Sequence, residues 1–160
     1  MAEEKKKKLS IIVFSGDMDK LIAAFIIATG AAASDMDVSM FFTFWGYRAI
    51  KKNVPMGKSF FGKMINIMEG GGLEKASPSK YSMSGIGRWM FKKMMGAKKV
   101  PSLTEYRQMA IDLGVKLYAC SMTMDLMEIP RENLIDSVTD VVGAGFMIEQ
   151  AQDSITTMFI

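Results

Sequence analysis

The sequence predicts an α/β protein: a mainly parallel sheet with helices on both of its faces. Three observations predict it. Short β-branched or aromatic runs alternate with longer helical stretches along the chain. The strand-like runs are apolar on both faces, as parallel strands covered by helices are. The chain has 160 residues, 49% hydrophobic and 23% charged, enough for one domain, 1–160, with a sizeable core.

The elements follow in order. Leu9-Ser-Ile-Ile-Val-Phe14 reads as the first strand. Ser15-Gly16-Asp17 turns the chain, and Asp17 is placed to cap a helix running to about Ala33. That Ala-rich run ends at Ser34-Asp35 and is shorter than a bilayer requires, so it reads as a buried helix. Asp37 to Phe44 is the second strand, ending at Trp45-Gly46. Leu103, Tyr106, Ala110 and Leu113 have helical spacing, and Gly114 fits the helix stop. Val115 to Cys120 is the third strand, followed by a short helix from Ser121 or Met122 to Met127. Leu134 to Thr139 reads as a fourth strand, Gly143 to Gln152 as a helix, and Ser154 to Ile160 as a terminal strand. No internal repeat interrupts this rhythm.

Residues 46–99 break it. They form an insert rich in Gly, Met, Lys and Phe, in place of a much shorter crossover. Phe60, Phe61, Met64, Ile65 and Met68 share one face of a predicted helix; Ile86, Met90, Phe91, Met94 and Met95 share a face of a second. Gly70-Gly71-Gly72 and Ser77-Pro78-Ser79 punctuate between them, which predicts a helical hairpin. The insert holds twelve Lys or Arg against Glu69 and Glu74, a net +10 in a chain of net +3, leaving −7 elsewhere. Its basic amphipathic helices suit an anionic membrane surface, an acidic partner or a neighbouring subunit. A partner or subunit contact is favoured, because exposed Met and Phe faces need covering. Nucleic acid is not expected, since apolar faces dominate and no recognised binding motif appears.

Composition excludes several chemistries. There is no histidine, so a Ser-His-Asp or Cys-His mechanism and His-ligated metal are excluded. One cysteine excludes an internal disulfide, a CxxC pair and a Cys-rich zinc site. The basic run Lys5 to Lys8 precedes an apolar stretch too short for a signal peptide, so a cytoplasmic protein is expected, membrane-peripheral if the insert binds lipid. A reducing cytosol keeps Cys120 a thiol.

Open α/β sheets place their sites beyond the carboxyl ends of the strands. Three such ends carry suggestive residues: Ser15-Gly16-Asp17-Met18-Asp19-Lys20, Thr43-Phe44-Trp45-Gly46, and Cys120-Ser121-Met122-Thr123-Met124-Asp125. They meet at one edge if their strands are neighbours. Cys120 stands where a strand gives way to a helix, whose N–H groups favour thiolate over thiol, and Lys20 offers a further positive charge. Against this, a free cysteine is often a small buried hydrophobe. Ser15-Gly16-Asp17 serves either as a pocket wall or as a tight turn with a helix cap, and it lacks the spacing of a phosphate-binding loop. Asp17 and Asp19 lack the neighbours of a full metal or proton-transfer site. Met122, Met124 and Met127 beside the cysteine read as flexible apolar packing, with soft Cu(I) held by Cys120 and these Met residues as the minor alternative; no resident metal or cofactor is expected.

Taken together, Ser-Gly-Asp-x-Asp-Lys at 15–20, Phe42-Thr43-Phe44-Trp45-Gly46, and Ala119-Cys120-x-Met122-x-Met124-Asp125-x-Met127 resemble the DsrE/DsrF-like family of small sulfur-relay proteins. The resemblance spans nearly the whole chain and is nearest the branch whose members carry a peroxiredoxin-family label. The chain lacks the peroxiredoxin pattern around a peroxidatic cysteine. The resemblance implies a three-layer α/β/α fold on a five-stranded parallel sheet and assembly into trimers or hexamers. It implies that Cys120 accepts sulfur as a persulfide or thiosulfonate and relays it. The implied donors are small molecules such as thiosulfate or persulfides, and the implied partners are rhodanese-like or TusA-like proteins. It maps pocket residues onto Ser15, Gly16, Asp17, Asp19, Lys20, Trp45 and Gly46, with Ser121, Met122, Met124 and Asp125 beside the sulfur. The rival from a different class is a non-catalytic scaffold or membrane-peripheral adaptor working through the basic insert. A further rival is a small-molecule or nucleotide module using the strand-tip crevice, without a glycine fingerprint to support it.

Overall fold

A computed structural model describes residues 6–55, 57–69 and 71–160. Lys5 of the basic run and Gly70 of the glycine triplet lie outside the described residues. The elements are β1 (Lys8–Val13), α1 (Met18–Ala33), β2 (Asp37–Phe42), α2 (Phe60–Glu69), α3 (Ile86–Ala97), α4 (Leu103–Asp112), β3 (Lys116–Cys120), α5 (Ser121–Met127), β4 (Asp140–Val142), α6 (Ala144–Gln152) and β5 (Thr156–Phe159). The five strands pair in parallel in the order β4-β3-β2-β1-β5.

The register assigns the layers. Phe42 of β2 meets Phe25 of α1, ring centroids 6.3 Å apart, so its row faces α1. Tyr118 of β3 is in register with Phe41, one residue earlier, and therefore points to the opposite face. There it meets Phe146 of α6 at 4.8 Å. Thus α1, with α4 packed beside it, covers one face and α6 lies on the other. The α1 face is the drier one: Ile11, Val13, Met40, Phe42, Leu117 and Ala119 are fully buried against Leu21, Ala24, Phe25 and Ala28. Each large aliphatic or aromatic side chain buried there contributes about 1.5–3 kcal/mol. The Ala positions of α1 let the helix approach the sheet closely.

Chain ends of elements are locally specified. Helix α4 opens with a capping box: Ser102 Oγ accepts from the Glu105 N–H at 3.3 Å, and Glu105 accepts from the Ser102 N–H at 2.6 Å. It closes in a Schellman motif, with Gly114 at φ +78° and the Val115 N–H donating to the Ala110 carbonyl at 3.0 Å.

Two expected strand boundaries are corrected. The fourth strand is not Leu134 to Thr139 but Asp140–Val142. Leu134 instead bridges antiparallel to Lys51, and the Ile135 N–H donates to the Ile50 carbonyl. Leu134 and Val138 are buried, so their apolar pattern comes from a loop packed into the core. The second strand stops at Phe42, because Phe44 turns to φ +45° and starts a 3₁₀ helix, Phe44–Ala49.

In the insert, α2 and α3 both form where expected, joined through 3₁₀ turns at 73–75 and 83–85. Phe91 and Met95 of α3 pack on the core, while Phe60, Phe61 and Met68 of α2 and Ile86, Met90 and Met94 of α3 remain exposed. Asp19 anchors the intervening loop by accepting from the Ser79 N–H at 2.7 Å and the Ser79 hydroxyl at 2.6 Å. Among the described residues no helix is long and apolar enough to cross a membrane.

Candidate functional site

Strands β1, β2 and β3 are neighbours, so the three loops singled out in the sequence meet at one carboxyl edge. They are clenched by backbone. The Gly46 N–H donates to the Phe14 carbonyl at 2.9 Å and the Thr43 N–H to the Val13 carbonyl at 3.0 Å. A Cβ on Gly46 would fall 2.1 Å from the Val13 carbonyl oxygen, and one on Gly16 would fall 2.5 Å from that of Trp45. Both glycines are therefore required by close approach of two main chains.

The third loop joins through α5. Buried Thr123 accepts from the Phe44 N–H at 3.1 Å and shares a hydroxyl contact with Thr43 at 3.0 Å. Those contacts hold the turn that ends β2. Tyr47 is fully buried and donates its hydroxyl to the Cys120 carbonyl at 2.6 Å. Burial, reinforced by Cys120 and Asp125, pushes the Tyr47 phenol far above its ordinary pKa, so it stays a neutral donor.

Cys120 itself is the last residue of β3 and the N-cap position of α5. It is only 4% exposed and pairs in register with Val142 of the edge strand β4. Of the two readings of Cys120, the single chain has the covered one: a sulfur one strand in from the edge is buried by its neighbours. Alternation along β3 puts it on the α6 side with Tyr118. Met124 is buried beside it, whereas Ser121 is half-buried and Met122 and Asp125 are exposed.

The other expected residues divide. Ser15, Gly16, Asp17 and Trp45 line a cleft of about 340 Å³ together with Arg48 and with Ile65, Met68 and Glu69 of α2. Asp17 occupies the N-cap position of α1 but makes no side-chain cap bond, which corrects its expected role. Its carboxylate instead accepts from the Ser15 hydroxyl at 2.9 Å and pairs with Lys20 at 3.0 Å. Lys20 thus spends its charge on Asp17. Asp19 belongs to a separate groove with Pro78, Tyr81 and Phe91. Burial acts to raise the Asp19 carboxyl, but the two Ser79 hydrogen bonds outweigh it and hold it below the ordinary value.

Sequence reasoning missed the ionic cluster under the cleft. The Lys51 side chain is 1% exposed and its ammonium lies 2.7 Å from Glu69, itself 5% exposed. Arg48 donates to the Glu69 carbonyl oxygen, with its Nη2 3.9 Å from the Glu69 carboxylate. A signal existed. Glu69 is one of two acids among twelve bases in residues 46–99, and an isolated acid in a basic stretch marks a paired cation.

Five comparisons bear on this arrangement. The chain is 40% identical over 159 residues to the uncharacterized protein YrkE of Bacillus subtilis, covering 98% of this chain and 99% of that one. It is 34% identical over 160 residues to the sulfur carrier protein DsrE2 of Allochromatium vinosum, again covering 98% and 99%. Two solved structures share the fold: MTH1491 of Methanobacterium thermoautotrophicum, at TM-score 0.54, 11% identity and 97% and 100% coverage, and the ychN protein of E. coli, at TM-score 0.55, 10% identity and 98% and 100% coverage. The profile of the DsrE/DsrF/DrsH-like family matches residues 5–159, nearly the full chain, and the protein belongs to that family.

Proposed function

We propose that this protein is a sulfur carrier that accepts sulfur on Cys120 and relays it to a partner thiol. One observation carries the reading. The chain aligns end to end with a protein named a sulfur carrier, and its only cysteine stands at the carboxyl edge of a central strand. With a single thiol, any persulfide forms there.

The chemistry is two displacements at sulfur. The Cys120 thiolate attacks the outer sulfur of a donor. A new S–S bond forms, the donor's bond to that sulfur breaks, and sulfite leaves with the bonding pair if the donor is thiosulfate, or a thiolate if it is a persulfide. An acceptor thiolate then attacks the terminal persulfide sulfur, and Cys120 leaves as thiolate. Electrons balance in each step, and no resolving cysteine is needed. A thiosulfonate on Cys120, formed from tetrathionate with loss of thiosulfate, is the alternative loaded form. Rhodanese-like donors and TusA-like acceptors suit this exchange, as does a reducing cytoplasm.

Because Cys120 is buried, loading requires a local opening. Strand β4 has 3 residues and α5 has 7, so these short elements are the ones whose displacement bares the sulfur. Assembly into trimers or hexamers belongs to the same proposal. Exposed Phe14, Ile148 and Phe159, with Phe14 and Phe159 stacked at 5.8 Å, support a subunit contact.

The test is intact-mass measurement after thiosulfate, tetrathionate or a persulfide donor, with Cys120→Ser alongside. A sulfur adduct on the native chain alone is expected. Iodoacetamide should alkylate Cys120 slowly and faster in mild urea. No adduct with any donor, together with a thiol inert to iodoacetamide, would remove the proposal.

A second reading has its own observation: Phe60 and Ile67 of α2 are 77% and 79% exposed in a segment of net +10. That combination suits a membrane-peripheral adaptor on anionic lipid.

A further inference from the structure

We infer that the cleft between the β1 and β2 tips and helix α2 binds a small organic anion, with the Arg48 guanidinium as its receptor. Arg48 enters from the 3₁₀ helix that follows β2, and its side chain is 15% exposed. Its position is set from one side, by the Nη2 bond to the Glu69 main-chain carbonyl. Its Nε is buried and has no hydrogen-bond partner among the described residues. A buried charged donor without an acceptor is costly, and native folds seldom leave one without a reason. An oxyanion in the cleft supplies the missing acceptor, and guanidinium geometry suits one.

The charges favour an anion. Two carboxylates border the cleft, but each has its own lysine: Asp17 is held by Lys20 at 3.0 Å and Glu69 by Lys51 at 2.7 Å. Arg48, 3.9 Å from the Glu69 carboxylate that Lys51 already holds, is the third cation beside two carboxylates. The walls favour an organic body. Trp45 presents a half-exposed indole and α2 contributes Ile65 and Met68, while the Ser15 hydroxyl is already bound to Asp17. About 340 Å³ admits a ligand with one oxyanion head and one ring or short chain. Cys120 does not line this cleft, so the inference stands apart from sulfur transfer.

The test uses benzenesulfonate, which carries no transferable sulfur, on the full chain with Trp89→Phe so that Trp45 is the sole indole. Saturable quenching of Trp45 and a shift of the Arg48 Nε–H resonance are expected. Benzenesulfonamide, the neutral analogue, and inorganic sulfate, lacking the ring, should each bind at least tenfold more weakly. Arg48→Lys, which keeps charge and loses the Nε donor, should weaken binding at least tenfold. Should Arg48→Lys unfold, the Nε–H titration of the Arg48 protein decides alone. An unmoved Nε–H signal, equal binding of the sulfonamide, or unchanged affinity in folded Arg48→Lys would each overturn the inference.

Discussion

Gly46 has a carbonyl oxygen where any other residue would carry its Cβ, 2.1 Å away on the backbone of Val13. Main chain cannot swing aside as a flexible side chain can. Gly46→Ala should therefore destabilise the protein by about 3 kcal/mol, the upper range for overpacking. Urea unfolding with an unchanged slope would measure it, and a loss under 1 kcal/mol would show that the strand tips yield. At this scale the sequence was only partly legible. Ser15, Gly16, Trp45, Gly46 and Cys120 were singled out from their places at strand tips, and β1, β2 and β3 do bring those tips together. Arg48 and Tyr47 were not, and Thr123 stood in its strand-tip run without a role, because their importance lies in partners distant along the chain. Thr123 matters through Phe44, and Tyr47 through the Cys120 carbonyl. The burial of Cys120 was also hidden, since a strand tip can be open or covered with the same local sequence.

Helix α4 shows how much an element can owe to its ends. Ser102 and Glu105 satisfy two N–H groups reciprocally, and hydrogen bonds from Ser102 hold the Glu105 carboxyl below its ordinary pKa. A depressed carboxyl stabilises the fold above its unfolded pKa and loses that effect as pH falls through its folded value. Ser102→Ala should cost about 1 kcal/mol. The cost should shrink at acidic pH, where Glu105 is protonated in either protein. Thermal melts at neutral and acidic pH check both, and a penalty independent of pH would argue against coupling through Glu105. In the sequence α4 was placed from the spacing of Leu103, Tyr106, Ala110 and Leu113 and from Gly114, and its capping box went unread. Strand β4 was misplaced, because Leu134 and Val138 read as strand, whereas Leu134 bridges to Lys51 and both are buried in a loop before β4. Periodicity reports burial; it does not report which neighbour provides it.

Across the whole molecule, charge and exposed apolar surface concentrate in one segment. Residues 46–99 carry net +10, and Phe60, Phe61, Ile86, Trp89 and Met90 are exposed there. If the adaptor reading holds, the protein should co-sediment with vesicles rich in phosphatidylserine and not with neutral ones. Binding should weaken as salt shortens the Debye length from about 10 Å toward 3 Å. Phe60→Ser with Phe61→Ser should release it, since both rings are solvent-facing and their loss leaves the core intact. Native protein remaining in the supernatant with anionic vesicles would drop that reading and leave the insert to a protein contact.

The sequence by itself determined the alternation of strands and helices, the three loops that form the carboxyl edge, and the single position available for thiol chemistry. These are local patterns of apolar spacing, turn residues and composition, and they need no neighbour to be read. Tertiary structure decided the strand order, the closed environment of the sulfur, and the joining of Arg48, Lys51 and Glu69 beneath a cleft roofed by α2. Each of those depends on residues far apart in the chain approaching within a few ångströms. Contact at that range is set by packing, which no local window contains.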